Sequence, residues 1–276
     1  MENGSFKCNK TELKNVSKEP NRRVIYSPAL FGFKNVQGDG KYVRVAILDS
    51  GLPVHKNILT DEFKSKNFTQ SKSVLDSLGH STAIAGIIAA NGENGIQGFA
   101  PKTDLFFGKV LLDSNGYGNH ESVIESILWS ITREVDIIVM SFGSSEDHPG
   151  LRDCIRKAHK LGISMFAACG NCTVRTKDAS FPARYDEVFS VGYSNTISTN
   201  EVIKHSGKTK GIITPSCDFE TTFLDSKFVT MSGSSLCNAV VAGVSVLVYQ
   251  NMRHKGLGIK DSQNIYNEVG SLAIKD

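Results

Sequence analysis

The chain has 276 residues, enough for one large α/β domain with its own core. Hydrophobic residues make up 40% and charged residues 21%, the balance of a soluble globule rather than a disordered chain. The net charge of +3 comes from interspersed signs, with no basic run to mark a nucleic-acid face and no apolar run of about 18 residues to span a membrane.

Residues 1–40 read as an arm rather than a domain, and 41–276 as the folded unit. The arm is polar up to Arg23 and carries no apolar h-region, so no secretory signal is visible and a cytoplasmic location is expected. Its short apolar patch, VIYSPALFGF, either packs on the surface of the domain or lies extended near a substrate groove. The six cysteines, at 8, 154, 169, 172, 217 and 237, are expected to be free thiols in that compartment. Cys169 and Cys172 form a C-x-x-C without the context of a redox or zinc site.

From Tyr42 the chain alternates. YVRVAILD is a buried strand ending on Asp49, and HSTAIAGIIAA a helix over 80–90. DLFFGKVL is a strand from Asp104. ESVIESILWSI has apolar residues at 123, 124, 127, 128 and 131, one face of a helix. DIIVMSFG is a strand, LRDCIRKAHKLG a helix closed by Gly162, and ISMFAACGN and EVFSVGY are strands. GSSLCNAVVAGVSVLVYQNM is a long buried helix, and a weaker helix closes the chain. This alternation predicts a mostly parallel sheet with helices on both faces, and ligands beyond the carboxyl ends of its strands. Asp49, Ser141 and Asn171 fall at such ends.

Four residues have the right chemistry for acyl transfer. Ser235 lies in a small-residue turn at a helix start, where free N–H groups and the dipole favour developing negative charge. It is a nucleophile only if a base and an orienting acid exist elsewhere. His80 suits the base and Asp49 the acid. Asn171 can donate to an oxyanion. Each has a plainer reading: a turn-capping carboxylate, a polar helix cap, a turn asparagine, and a buried serine behind an N-cap at Ser234. Their joint occurrence, each at a strand end or helix start, favours the site.

The motifs resemble those of subtilisin-family serine proteases over residues 42–272. VAILDSG, HSTAIAG, GFAP, SFG, AACGN and GSSLCNAVVAG match the family's aspartate, histidine, G-x-A-P, substrate-strand, oxyanion and serine elements. The order Asp, His, Ser is that of subtilisin, whereas an α/β-hydrolase places both partners after the serine. The resemblance implies a three-layer α/β fold and an Asp49–His80–Ser235 triad. It assigns Asn171 to the oxyanion hole. Ser141, Phe142 and Gly143 would pair with substrate, with Asn115, Gly116, Tyr117 and Gly118 opposite. Ala168, Gly170 and Ser180 would border the pocket for the residue before the scissile bond. Arg175 and Lys177 would favour acidic or polar residues there.

Ser81, Ser234, Cys237, Asn238, Ala239 and Val240 depart from the family pattern without removing a triad member. No metal ligand set and no required cofactor are expected. Many members bind calcium at a segment that is short here, 91–98, so that site is altered. The resemblance to intracellular lantibiotic leader peptidases implies a precursor-peptide substrate; a monomer is expected, and the charge pattern and lack of a long apolar run lead to no nucleic-acid or membrane partner being expected. The alternatives are a broad intracellular degradative subtilisin and a peptide-binding protein without activity.

Overall fold

The computed structural model describes residues 5–8, 12–112, 116–170, 179–195, 197–215, 217–257 and 261–274. In chain order the strands and helices are β1 (Phe6–Cys8), β2 (Glu12–Ser17), β3 (Val24–Ile25), β4 (Arg44–Asp49), β5 (Ser65–Asn67), α1 (His80–Ala89), β6 (Ile96–Gln97) and β7 (Asp104–Lys109). There follow β8 (Tyr117–Gly118), α2 (His120–Thr132), β9 (Ile137–Met140), β10 (Phe142–Gly143), α3 (Pro149–Lys160), β11 (Ser164–Ala168) and β12 (Phe189–Ser194). The last are β13 (Glu201–His205), β14 (Lys208–Pro215), β15 (Phe219–Thr222), β16 (Phe228–Ser232), α4 (Ser234–His254) and α5 (Ser262–Leu272).

Eight strands form the central sheet in the order β13-β14-β12-β11-β9-β4-β7-β5. Every pairing is parallel except the edge pair β13–β14. Side chains along a strand point alternately to opposite faces, so a sheet covered on both needs apolar residues at every position. RVAILD and IIVM supply them. Val45 and Ile47 of β4 and Ile137 and Val139 of β9 join the core formed with α1, α4 and α5. Ala46, Leu48, Ile138 and Met140 join the second core, with α2 and α3. The result is the expected three-layer α/β architecture.

Helix α4 is long and apolar enough to cross a membrane by length and composition, but 89% of its apolar stretch is buried inside the protein. It is the central core helix. Its N-cap is Gly233, at φ 138°, which moves Ser234 inside the helix and corrects the reading of Ser234 as cap.

Two further corrections concern cysteines and strands. Cys154, Cys217 and Cys237 are free, but Cys169 is disulfide-bonded. The expectation of free thiols rested on compartment alone, which does not see local geometry. The stretch between 194 and 233 forms β13–β16 as antiparallel hairpins, exposed and polar at β13, and so lacks the apolar runs that marked the central strands.

Candidate active site

Asp49 ends β4 and is fully buried. Its carboxylate accepts the backbone N–H of Ser50 at 2.7 Å and the Nδ1–H of His80 at 2.8 and 3.0 Å. With Nδ1 committed to Asp49, the lone pair of His80 falls on Nε2, the tautomer needed to accept a proton from a hydroxyl. Burial disfavours a charged ring, yet the charge and hydrogen bond of Asp49, with the charge of Asp76, raise the His80 pKa above its ordinary value.

His80 opens α1, behind Gly79 at φ 79°. A Cβ at Gly79 would meet the Phe223 ring at 2.2 Å, so both the backbone conformation and the close approach require glycine. Asp76 was missed in the sequence analysis. One of its oxygens accepts Ser50 Oγ at 2.8 Å and the N–H groups of Leu78 and Gly79 at 3.0 and 2.9 Å. The other accepts Thr82 N–H and Oγ1 at 2.9 and 2.6 Å. Ser50 Oγ in turn accepts the Ser81 N–H at 2.9 Å. A carboxylate just before a predicted helix start was the signal that could have found it.

Ser235 is the second residue of α4 and is buried. Its hydroxyl donates to the Ser141 carbonyl at 3.1 Å, and Ser141 Oγ donates back to the Ser235 carbonyl at 3.3 Å. Leu48 pairs with Met140 across β4 and β9, so the next residues, Asp49 and Ser141, leave the sheet side by side. That register brings the serine hydroxyl to the same sheet edge as the Asp49–His80 pair. His80 Nε2 is buried with no hydrogen-bond partner among the described residues, so here the serine hydroxyl is turned to Ser141 instead.

The residues that depart from the family pattern pack beneath the serine. The Asn238 amide donates to Ser141 Oγ at 3.1 Å and reaches the Met140 and Phe166 carbonyls at 3.4 and 3.5 Å. It bridges two strands under the site. Burial pushes the Cys237 thiol up to about 12, which keeps it protonated and chemically quiet. Ala239 and Val240 are core residues.

Several of the expected pocket residues lie close together. Ser144 and Phe181 exchange backbone hydrogen bonds of 2.9 and 2.8 Å, and Ser180 N–H donates to the Cys169 carbonyl at 3.3 Å. Ser180 Oγ lies so close to Gly143 that a Cβ there would meet it at 2.1 Å. Ala168 ends β11, and Gly170 follows at φ 81°. Across the groove, Gly116 and Tyr117 form a turn closed on Leu112, with Gly118 tight against the Val110 carbonyl. Asn115, Asn171, Cys172, Arg175 and Lys177 lie outside the described residues.

The chain's own arm fills this groove. Strand β1 runs antiparallel between β10 and β8, with Lys7 opposite Gly143 and Tyr117, Cys8 opposite Phe142, and Phe6 opposite Gly118. Beyond Ser235, β2 pairs antiparallel with β16, Glu12 opposite Ser232. A polypeptide strand therefore docks on both sides of Ser235 by main-chain pairing. Residues 6–8 of the arm thus lie extended in the groove, whereas the apolar patch at 24–33 packs on the domain, Phe31 stacking on Phe219 at 5.6 Å.

The short segment at 91–98 follows α1 and contains β6. Glu93 is its single carboxylate, Asn91 Oδ1 already accepts the Glu93 N–H at 3.1 Å, and β3 pairs along β6. Calcium asks for six to eight oxygens.

Residues 40–263 match Peptidase S8, the Subtilase family. The chain is 33% identical over 236 residues to the major intracellular serine protease of Bacillus subtilis (strain 168), covering 82% of this chain and 73% of that one. It is 34% identical over 237 residues to an intracellular serine protease of Paenibacillus polymyxa, covering 82% and 71%. Subtilisin of Bacillus pumilus is 31% identical over 229 residues, covering 81% and 82%. A buried carboxylate–imidazole pair, a helix-tip serine and a strand-binding groove on a parallel sheet agree with these likenesses, and the chain belongs to the subtilase family of serine endopeptidases.

Proposed function

We propose that Asp49, His80 and Ser235 cleave peptide bonds through an acyl-enzyme, and that the substrate is a precursor peptide matured in the cytoplasm. Ser235 Oγ attacks the carbonyl while His80 Nε2 takes its proton. His80 then gives that proton to the leaving amine, and a water repeats the sequence to free the acid. Asp49 holds the tautomer and stabilises the imidazolium. Asn171 and the Ser235 N–H donate to the oxyanion. Substrate enters as a strand between 116–118 and 141–143, and the enzyme works as a monomer without calcium.

One observation carries the processing reading. The groove holds a strand whose Phe6 side chain is fully enclosed, so it selects by side chain as well as by backbone. A groove that encloses side chains suits few substrates. A leader peptide of the lantibiotic type is the substrate class the sequence resemblance suggests. The second reading, a broad degradative protease, is supported by the intracellular serine proteases among its relatives.

Mass spectrometry after incubation with a peptide library and with casein distinguishes them. Cleavage of a few library peptides by wild type and none by Ser235→Ala, with casein intact, is the expected outcome. Casein cut at many sites would replace the processing reading with the degradative one. Cleavage that persists in Ser235→Ala would remove Ser235 as nucleophile.

A further inference from the structure

Packing alone does not account for the amide under the nucleophile. Asn238 is fully buried in α4, between Cys237 and Ala239 and beside Val240, Val241 and Ala242, all core residues. Its Oδ1 is buried with no hydrogen-bond partner among the described residues. An oxygen in that state costs free energy that an apolar side chain of similar size would not. The reason for an amide therefore lies at its other end.

There Nδ2 donates to Ser141 Oγ at 3.1 Å and reaches the Met140 and Phe166 carbonyls at 3.4 and 3.5 Å. Asn238 stands three residues after Ser235, so both side chains leave the same face of α4. Ser141 and Ser235 are joined reciprocally. Ser235 Oγ donates to the Ser141 carbonyl at 3.1 Å, and Ser141 Oγ donates to the Ser235 carbonyl at 3.3 Å. The amide fixes the sense of that second bond. Nδ2 can only donate, so Ser141 Oγ accepts from it, and the single hydroxyl proton of Ser141 is left for the Ser235 carbonyl.

This polarity matters when the nucleophile moves. At rest the Ser235 hydroxyl points to Ser141, and His80 Nε2 has no partner among the described residues. To lose its proton the hydroxyl must turn to Nε2, which breaks its bond to the Ser141 carbonyl. The Ser235 main chain must stay still meanwhile, because its N–H serves the oxyanion. Of the reciprocal pair, the bond from Ser141 Oγ to the Ser235 carbonyl then remains.

We propose that Asn238 is a positioning residue for the nucleophile: through Ser141 Oγ it holds the Ser235 main chain in place while the side chain swings to His80. The inference rests on Ser235 being the nucleophile and is independent of which peptide is cut. The amide's hydrogen bonds run to residues 140, 141 and 166, so its loss should slow the reaction without moving the acid limb set by His80.

A double-mutant cycle of Asn238→Leu and Ser141→Ala in the full-length chain tests this, read as the rate at which an alkyl fluorophosphonate labels Ser235. The reagent needs no peptide recognition: Ser235 Oγ bonds to phosphorus, fluoride leaves and His80 takes the proton. Both substitutions keep the main-chain groups that pair with the arm, so its competition is common to all four proteins. Each single variant should label roughly 10- to 100-fold more slowly than wild type. The double variant should lie within about twofold of Ser141→Ala, because the second loss acts through the first. If Asn238 merely braces the Met140 and Phe166 carbonyls, the two effects multiply, and the proposal is overturned. An unchanged rate in Asn238→Leu, or a shifted acid limb, overturns it as well. Wild type that is not labelled at Ser235 would remove the nucleophile and the proposed function together, whereas labelled wild type with an equally fast Asn238→Leu removes this inference alone.

Circular dichroism checks that each variant is folded. Asn238→Thr, whose side chain ends one bond short of Ser141 Oγ, repeats the cycle if Asn238→Leu does not fold. On a library peptide that wild type cleaves, the variant should lower kcat and leave KM within about twofold. A raised KM with unchanged kcat would mean that Asn238 serves binding, contrary to the proposal.

Discussion

The imidazole of His80 must be neutral to act as a base, but the carboxylates that orient it also make it hold its proton more tightly. The acid limb of kcat/KM is therefore expected above the ordinary histidine value of about 6.5. The attraction between charged His80 and Asp49 adds stability that is complete below that unfolded value and is lost as pH rises through the raised folded one. Asp49→Asn should lower kcat by about 10⁴-fold, as expected when the tautomer is lost, and shift the acid limb to lower pH. A pH–rate profile of wild type and variant measures both. An acid limb unmoved by Asp49→Asn would separate it from His80. At this scale the Asp49–His80 pair was legible, because each motif pairs a reactive residue with the small neighbours its turn demands. The rotation of Ser235 towards Ser141 was not, since it depends on which acceptor lies nearest in space.

Helix α1 shows how an element positions a reactive group. Its first residue is His80, its cap is a glycine with no side chain to offer, and the missing cap is supplied by Asp76, which receives five hydrogen bonds. Asp76→Ala leaves buried donors without an acceptor and removes the anion from the helix N-terminus. The expected destabilisation is roughly 3 kcal/mol. In a domain of this size that lowers Tm on the order of 6–10 °C. Thermal unfolding followed by circular dichroism measures it, and an unchanged Tm would mean the network does not hold α1. The central strands were readable because burial on both faces demands continuous apolar runs. The 201–232 hairpins were not, because β13 lies exposed at a sheet edge and β15 and β16 belong to a separate small sheet. The short pieces β1 and β3 were illegible as strands for a related reason, since two or three residues carry no periodicity.

Across the whole molecule, a single chain closes on itself from both ends. The Ile274 N–H donates to the Gly32 carbonyl and the Lys34 N–H to the Leu272 carbonyl, joining the arm's surface patch to the end of α5. At 91–97 the turn is likewise braced by protein, with Pro20 close against Gly95 and β3 alongside β6. Stability is then expected to be independent of calcium. Addition of EGTA should leave Tm unchanged, and a fall of several degrees would reveal a bound ion. The arm's course was only half legible, because its polar composition marks it as non-core without saying which surface it crosses. Its two paired strands matter beyond the groove. In the small sheet β15-β16-β2, the arm supplies the outer strand. When a substrate takes the arm's place, β16 becomes the margin of that sheet. Its unpaired N–H and C=O groups then form an adhesive edge that ends at Ser232, just before the turn to Ser235. The arm thus doubles as an edge guard, and the form of the enzyme freest to work is also the form most open to pairing with another copy.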